Sequence, residues 1–292
     1  MDNNYVIITD SCAELPNEYL EKYQIPVLKF SYYIGDDKYI SSNDELVLKD
    51  FFKSMREKKT VSTSCVNGEE ARLVFEEILN EGKDIIYIGF SSAMSATFQV
   101  VNYMASEIRD KYPERTIICV DSLSGCLGLG AIVLYACEQR ENGISINNLV
   151  EFLKTSMPKM NHLFTVDTLY WLYIGGRVKR TALLLAGALD IKPLMRLSEE
   201  GVMVPYGKTV GRKRSLAQLA KKIAEKIENP ELQTIYIAHG DVLDDVNFLI
   251  SKIKELITPK DFVITYVDTV VGAHGGPGTL AVFFVGKDRA IL

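Results

Sequence analysis

The residues best suited to hold an anion fall in four short runs: Thr9-Asp10-Ser11-Cys12, Thr63-Ser64 opening the helix at Gly68, Ser91-Ser92-Ala93-Met94-Ser95-Ala96-Thr97, and Asp121-Ser122-Leu123-Ser124-Gly125. Taken singly, hydroxyl side chains in such runs read as helix caps. Several converging on one edge make an anion site, built of neutral hydroxyls and backbone N–H groups at the positive ends of helix dipoles. The second half adds Gly175-Gly176-Arg177, a guanidinium beside paired glycines, and Gly272-Ala273-His274-Gly275-Gly276-Pro277-Gly278. The four glycines of that second run read as a loop outside regular structure, which would let backbone approach a ligand beside His274. The plainer reading is a structural histidine; His239 and His162 lack such surroundings and fit that reading better.

Other chemistries find less support. There is no Gly-x-x-x-x-Gly-Lys-Ser/Thr phosphate loop and no Gly-x-Gly-x-x-Gly after the first strand. Gly89-Phe90-Ser91-Ser92-Ala93 nearly makes a nucleophile elbow, but Ala93 stands where the turn needs glycine. The His274-Gly-Gly run also follows that serine, whereas an oxyanion loop should precede it. A serine acyl hydrolase using Ser92 or Ser95 with His274 is the enzyme alternative. A sensor of small carboxylates or phosphates acting by domain closure is a third.

The elements that must position these groups alternate in the first half. Apolar runs at 5–9, 25–30, 84–89 and 116–121 read as strands of a buried parallel sheet. Apolar spacing predicts helices at 44–58, 69–80, 96–111 and 128–141. The open end of such a sheet is where ligands bind. In the second half, helices are expected over 145–159, from Asp167 to Gly175-Gly176, and over 177–188. A hairpin should follow at 191–206, then helices at 216–227 and 241–256 and strands at 234–238, 262–267 and 280–285. The fold expected is α/β in two domains: a three-layer α/β/α unit with a parallel sheet over residues 1–155, and a two-layer unit with a mixed sheet over 156–292. The ligand would lie between them.

Composition bounds the remaining classes. Of 292 residues, 47% are hydrophobic and 24% charged, which is ample for a large core and excludes disorder. The net charge of -5 argues against a nucleic-acid partner. Five cysteines without a Cys-x-x-Cys, with three histidines, give no metal-site pattern and no disulfide framework. No basic-then-apolar leader opens the chain and no apolar run reaches membrane-spanning length, so a reduced cytoplasmic setting without membrane insertion is expected.

Taken in order, these stretches resemble the DegV family of fatty-acid-binding proteins, the lipid-binding subunits of bacterial fatty acid kinase. The matching residues run from Thr9-Asp10-Ser11 and Leu15-Pro16 through Thr63-Ser64, Ser91-Ser92-x-x-Ser95-x-Thr97-x-Gln99 and Val120-Asp121-Ser122. They continue through Gly175-Gly176-Arg177, Ile191-Lys192-Pro193-Leu194 and His239-Gly240 to His274-x-Gly276-Pro277-Gly278. The resemblance implies one long-chain fatty acid buried between two domains, with no metal and no cofactor. It implies a carboxylate held by Thr63 and a serine of the 91–95 run, Ser92 first and Ser95 next. Ser64, Ser91 and Gly275 would stand beside them. Arg177 and His274 would lie at the outer end, where a separate kinase phosphorylates the carboxylate to an acyl phosphate; the chain alone would not be an enzyme. Leu183, Leu184, Leu185, Leu189, Met157 and Met160 are expected to line an apolar tunnel. The chain departs from the family pattern at Cys65-Val66-Asn67, at Ala96 and Phe98, and at Gly275. It also has Val210 where many members carry an arginine associated with the kinase, with Arg212 the nearest replacement.

Overall fold

The computed structural model describes residues 4–179 and 190–289. The apolar runs of the first half form a parallel sheet in the order β2-β1-β6-β7, where β1 is Tyr5–Asp10, β2 Val27–Leu28, β6 Asp84–Gly89 and β7 Ile117–Asp121. Ile85, Ile86, Tyr87 and Ile88 are all buried. Successive residues face opposite sides of a strand, so both faces are covered. The covering helices include α3 (Gly68–Asn80), α4 (Thr97–Arg109) and α5 (Leu127–Glu141). Of the run expected at 25–30, only Val27–Leu28 pairs with β1.

A small antiparallel sheet, β4-β3-β5, comes next in the chain: β3 Ser31–Ile34, β4 Asp37–Ile40 and β5 Val61–Ser64. It corrects one expectation. Thr63 and Ser64 do not open a helix; they lie on β5, with Thr63 opposite Tyr32 of β3. The helix that follows is capped instead by Asn67, whose Oδ1 accepts the Glu69 N–H at 2.8 Å.

The remaining six strands form one mixed sheet in the order β10-β9-β8-β13-β11-β12. They are β8 Met160–Thr165, β9 Ile191–Leu197, β10 Met203–Val210, β11 Thr234–His239, β12 Asp261–Tyr266 and β13 Leu280–Val285. Only β11 and β12 run parallel. Strand β13 alternates: Val282 and Phe284 join the core beneath α8 (Arg212–Lys226) and α9 (Leu243–Lys254), while Ala281 and Phe283 face the other core. That second face packs on α5. Helix α5 is buried from Leu127 through Leu134 without interruption, because it lies between the parallel and the mixed sheet. The mixed sheet therefore has helices on both sides, not on one.

Helix α6 (Ile146–Ser156) starts at the Ser145 cap as the sequence indicates. The chain then enters β8, a strand in a stretch that the sequence reading leaves unassigned between helices ending at 159 and starting at Asp167. Helix α7 is short, Tyr170–Ile174. Of the helix expected over 177–188, residues 177–179 are not helical, and 180–188 lie outside the described residues.

Candidate functional site

The C-terminal ends of β1, β6 and β7 bring three of the hydroxyl runs together. Asp10 ties them: its carboxylate accepts the Cys12 N–H at 3.2 Å, the Phe90 N–H at 2.8 Å and the Tyr87 hydroxyl at 2.9 Å. Burial nonetheless pushes its pKa up to about 6. Asp121 binds the Ser92 and Leu123 N–H groups, and Thr97 Oγ1 accepts the Val66 N–H at 3.3 Å, joining the β5 end to the start of α4.

His274 is not in a loop. It stands in the last turn of a seven-residue helix, α10 (Thr269–Gly275). Asp268 caps that helix, accepting the Val271 N–H at 2.7 Å, and Gly276 ends it with φ +81°. The glycines serve contacts within the protein. A Cβ on Gly272 would stand 2.9 Å from the Phe52 ring, one on Gly275 2.6 Å from Thr279 Oγ1, and one on Gly276 2.1 Å from the Trp171 ring. Asp268 is held in turn by the Ser41 hydroxyl at 2.9 Å, while its own N–H donates to Glu14 at 2.9 Å. Glu14 also takes the Cys126 thiol and the Leu127 N–H at the head of α5. Burial raises Asp268 to about 7 and Glu14 well above the usual carboxylate range.

Around α10 lies a cavity of about 210 Å³. Its polar wall consists of Thr63, Ser64 and Cys65 from β5 and its exit, Ser95 from the loop before α4, Arg177, and His274. Thr63 Oγ1 and His274 Nε2 are 3.1 Å apart. Burial, and then the Arg177 charge, pull the His274 pKa down to about 4, so the ring is neutral at pH 7. Its Nδ1 has no hydrogen-bond partner among the described residues and faces Gly175, where a Cβ would stand 2.1 Å away. Arg177 donates from Nε to the Met94 carbonyl at 3.2 Å and from Nη1 to the Gly175 carbonyl. The Gly-Gly-Arg run thus seats the histidine and the guanidinium at once.

Five of the eight residues expected at the site line this cavity: Thr63, Ser64, Ser95, Arg177 and His274. Three do not. Ser91 is fully buried, and its hydroxyl donates to the Gly201 carbonyl at 2.9 Å, pinning the β9–β10 turn. Ser92 is half-buried off the cavity. Gly275 lies on the wall of a second, inner cavity. No triad forms among the described residues: His274 is bonded to Thr63, none of their carboxylates meets its Nδ1, and Ser95 Oγ sits 3.1 Å from Thr97 Oγ1. Val210 is exposed at the end of β10. Arg212 is committed to Asp245 at 2.8 Å and to the Gly278 carbonyl at 2.7 Å.

The inner cavity, about 70 Å³, is walled largely by apolar side chains, among them Phe164, Val166, Leu172, Leu197, Ala281 and Phe283. Phe90, Met94, Met203 and Val271 line both spaces and so form the wall between them. Sequence reasoning missed all four. Met203 comes from a hairpin more than a hundred residues after Phe90, with no local sign of where it lands. Met157 and Met160 line neither cavity and pack with the main core. Leu183, Leu184, Leu185 and Leu189 lie outside the described residues. Among the described residues no cluster of His, Cys, Asp and Glu is arranged for a metal ion, and no helix is long and apolar enough to cross a membrane.

Comparison with known proteins extends these observations. The model of the DegV family, described as uncharacterised proteins, matches residues 4–287. A DegV domain-containing protein of Clostridium perfringens is 38% identical over 286 residues, covering 98% of each chain. Among solved structures, a fatty-acid-binding DegV protein of Thermus thermophilus superposes with a TM-score of 0.87 at 24% identity, over 97% of this chain and 99% of that one. A stearic-acid-binding protein of Eubacterium ventriosum gives 0.84 at 23% identity, over 96% and 98%. At such identities the superpositions establish the fold.

Proposed function

The chain belongs to the DegV family, and on that premise we propose that it binds one long-chain fatty acid and presents the carboxylate to a separate ATP-dependent kinase. The observation that carries this reading is the pair of adjacent cavities that share one wall. One cavity is polar, with Thr63, Ser95, Arg177 and His274; the other is walled by apolar side chains, and Phe90, Met94, Met203 and Val271 stand between the two, where side-chain movement would join them. An amphipathic chain with a single polar end matches that division. The DegV structures of Thermus thermophilus and Streptococcus agalactiae are described as fatty-acid-binding, and that of Eubacterium ventriosum as binding stearic acid.

The energetics fit a carrier. Burying a sixteen-carbon tail at about 0.8 kcal/mol per methylene contributes on the order of 11 kcal/mol before ordering costs. The head group therefore needs orientation more than affinity. With its proton on Nε2, neutral His274 donates to Thr63 Oγ1, and the Thr63 hydroxyl proton is left for a ligand carboxylate. Ser95 and Arg177 close the same space. The two methionines in the shared wall have three rotatable bonds each and repack as a tail passes. In the kinase step, a carboxylate oxygen attacks the γ-phosphorus of ATP and ADP leaves, giving the acyl phosphate.

Mass spectrometry of the purified protein, native and after solvent extraction, tests the binding. One equivalent of long-chain fatty acid is expected, and Thr63→Ala should retain less of it without loss of fold. A protein that is empty and takes up no added fatty acid would overturn the reading. ATP-dependent acyl phosphate formation on adding a fatty acid kinase catalytic subunit tests the presentation step.

A further inference from the structure

The serine run that ends in Ser95 hangs on the turn after β7. Ser91 gives its N–H to the Ser124 carbonyl at 2.8 Å, and its own carbonyl accepts the N–H groups of Met94 and Ser95 at 3.0 and 3.2 Å. Ser92 and Leu123 both give their N–H to Asp121 Oδ1, at 3.2 and 3.1 Å. The place of Ser95 in the cavity wall is thus inherited from residues 121–125. That turn is irregular, with Leu123 at φ +46°, a left-handed conformation uncommon outside glycine. What holds it is Arg289, only 3% exposed. Nη1 donates to the Leu123 carbonyl, Nη2 to Ser124 Oγ at 2.8 Å and the Met157 carbonyl at 2.9 Å, and Nε to the Met160 carbonyl at 2.9 Å. The Arg289 carbonyl in turn accepts from Arg196 of β9 at 3.1 Å.

We propose that Arg289 is a positioning residue for the head-group site: through the turn at 121–125 it sets the place of Ser95, and with it the hold on a ligand carboxylate. This rests on the fatty-acid reading and adds to it a residue that lines neither cavity. Burial lowers the guanidinium pKa only to about 10, so the group is a cation at pH 7. None of its four acceptors is a carboxylate. A buried charge held by neutral acceptors alone is a poor source of stability, because its desolvation cost offsets most of what the bonds return. What a rigid planar fork supplies is direction: its donors fix Leu123 and Ser124 against Met157 and Met160 at set angles.

The test is a double-mutant cycle on the full chain, read as stearic acid dissociation constants. Arg289→Met should weaken binding about tenfold, the loss expected of Ser95→Ala. Combined with Ser95→Ala it should weaken binding no further, since both changes act on one hydroxyl. Ser124→Ala removes a single bond and leaves Nη2 on the Met157 carbonyl. Its loss should be smaller, about two- to fivefold, and again absent once Ser95 is alanine; this variant decides if Arg289→Met does not fold. A latch with a structural role alone would lower the urea midpoint and leave the affinity unchanged, or weaken binding by the same factor with and without the Ser95 hydroxyl. Either result, with stearic acid still bound by the native protein, would overturn this inference and leave the fatty-acid reading standing. A native protein that binds no fatty acid would remove both.

Discussion

Replacing Gly175 by alanine should separate ligand binding from stability, and its neighbour supplies the control. Gly175 has φ −72°, so alanine fits the backbone without strain. Its added methyl, however, would lie 2.1 Å from His274 Nδ1 and 3.0 Å from Cε1. The ring must move, and the 3.1 Å contact with Thr63 goes with it. Overpacking of this kind costs about 1–3 kcal/mol. Because the ring can swing into the adjoining cavity, most of that should appear as lost affinity. The reduced freedom of the unfolded chain returns about 0.4–1 kcal/mol of stability. Fatty acid binding should therefore weaken about 5- to 100-fold, with the urea midpoint nearly unchanged. Gly176 is the converse: at φ +73° with nothing within 4 Å of a Cβ, alanine there should cost about 1–2 kcal/mol of stability and leave binding alone. Displacement titrations and urea unfolding on both variants decide the matter. Unchanged binding in Gly175→Ala with weakened binding in Gly176→Ala would refute the role given to His274.

Two further predictions concern the serines and the buried acids. Ser95→Ala should weaken fatty acid retention roughly tenfold, about one hydrogen bond's worth, whereas Ser92→Ala should not change it; measured dissociation constants for the two variants check this. Asp10 and Asp268 have folded-state pKa values near 6 and 7, above their ordinary range, so the folded protein holds protons more tightly than the unfolded chain. The stability they contribute is complete below about pH 4 and is lost as pH rises through 6 to 7. Asp268→Asn keeps a capping side chain, and its unfolding free energy should decline less than the native protein's over that interval, by about 1–3 kcal/mol in urea titrations. Parallel pH profiles for the two proteins would contradict the assignment.

What was legible in the sequence divides along physical lines. The strands ending at Asp10, Gly89 and Asp121 were readable because buried parallel strands are apolar throughout. The turn residues after them gather at one edge of the sheet, and of these runs Ser95 lines the polar cavity. Strand β5 was not readable: Val61-Ser62-Thr63-Ser64 has no apolar alternation and is a strand only because β3 pairs with it. Helix α10 was hidden by its glycines, which read as breakers but fit where Phe52, Thr279 and Trp171 press on the backbone. Ser92 and Ser95 are indistinguishable by type and differ only in which side of the loop faces the cavity.

Helix α5 has a consequence for how a ligand is admitted. It closes the parallel sheet on one side and the mixed sheet on the other, so each half of the molecule borrows its hydrophobic lid from the same fifteen residues. A hinge that swung the halves apart would strip that helix from one sheet or the other. On the fatty-acid reading, an acyl chain should therefore enter by local movement, past Met94 and Met203, and not by a hinge. The protein should unfold as one cooperative unit, and neither half should survive expression alone.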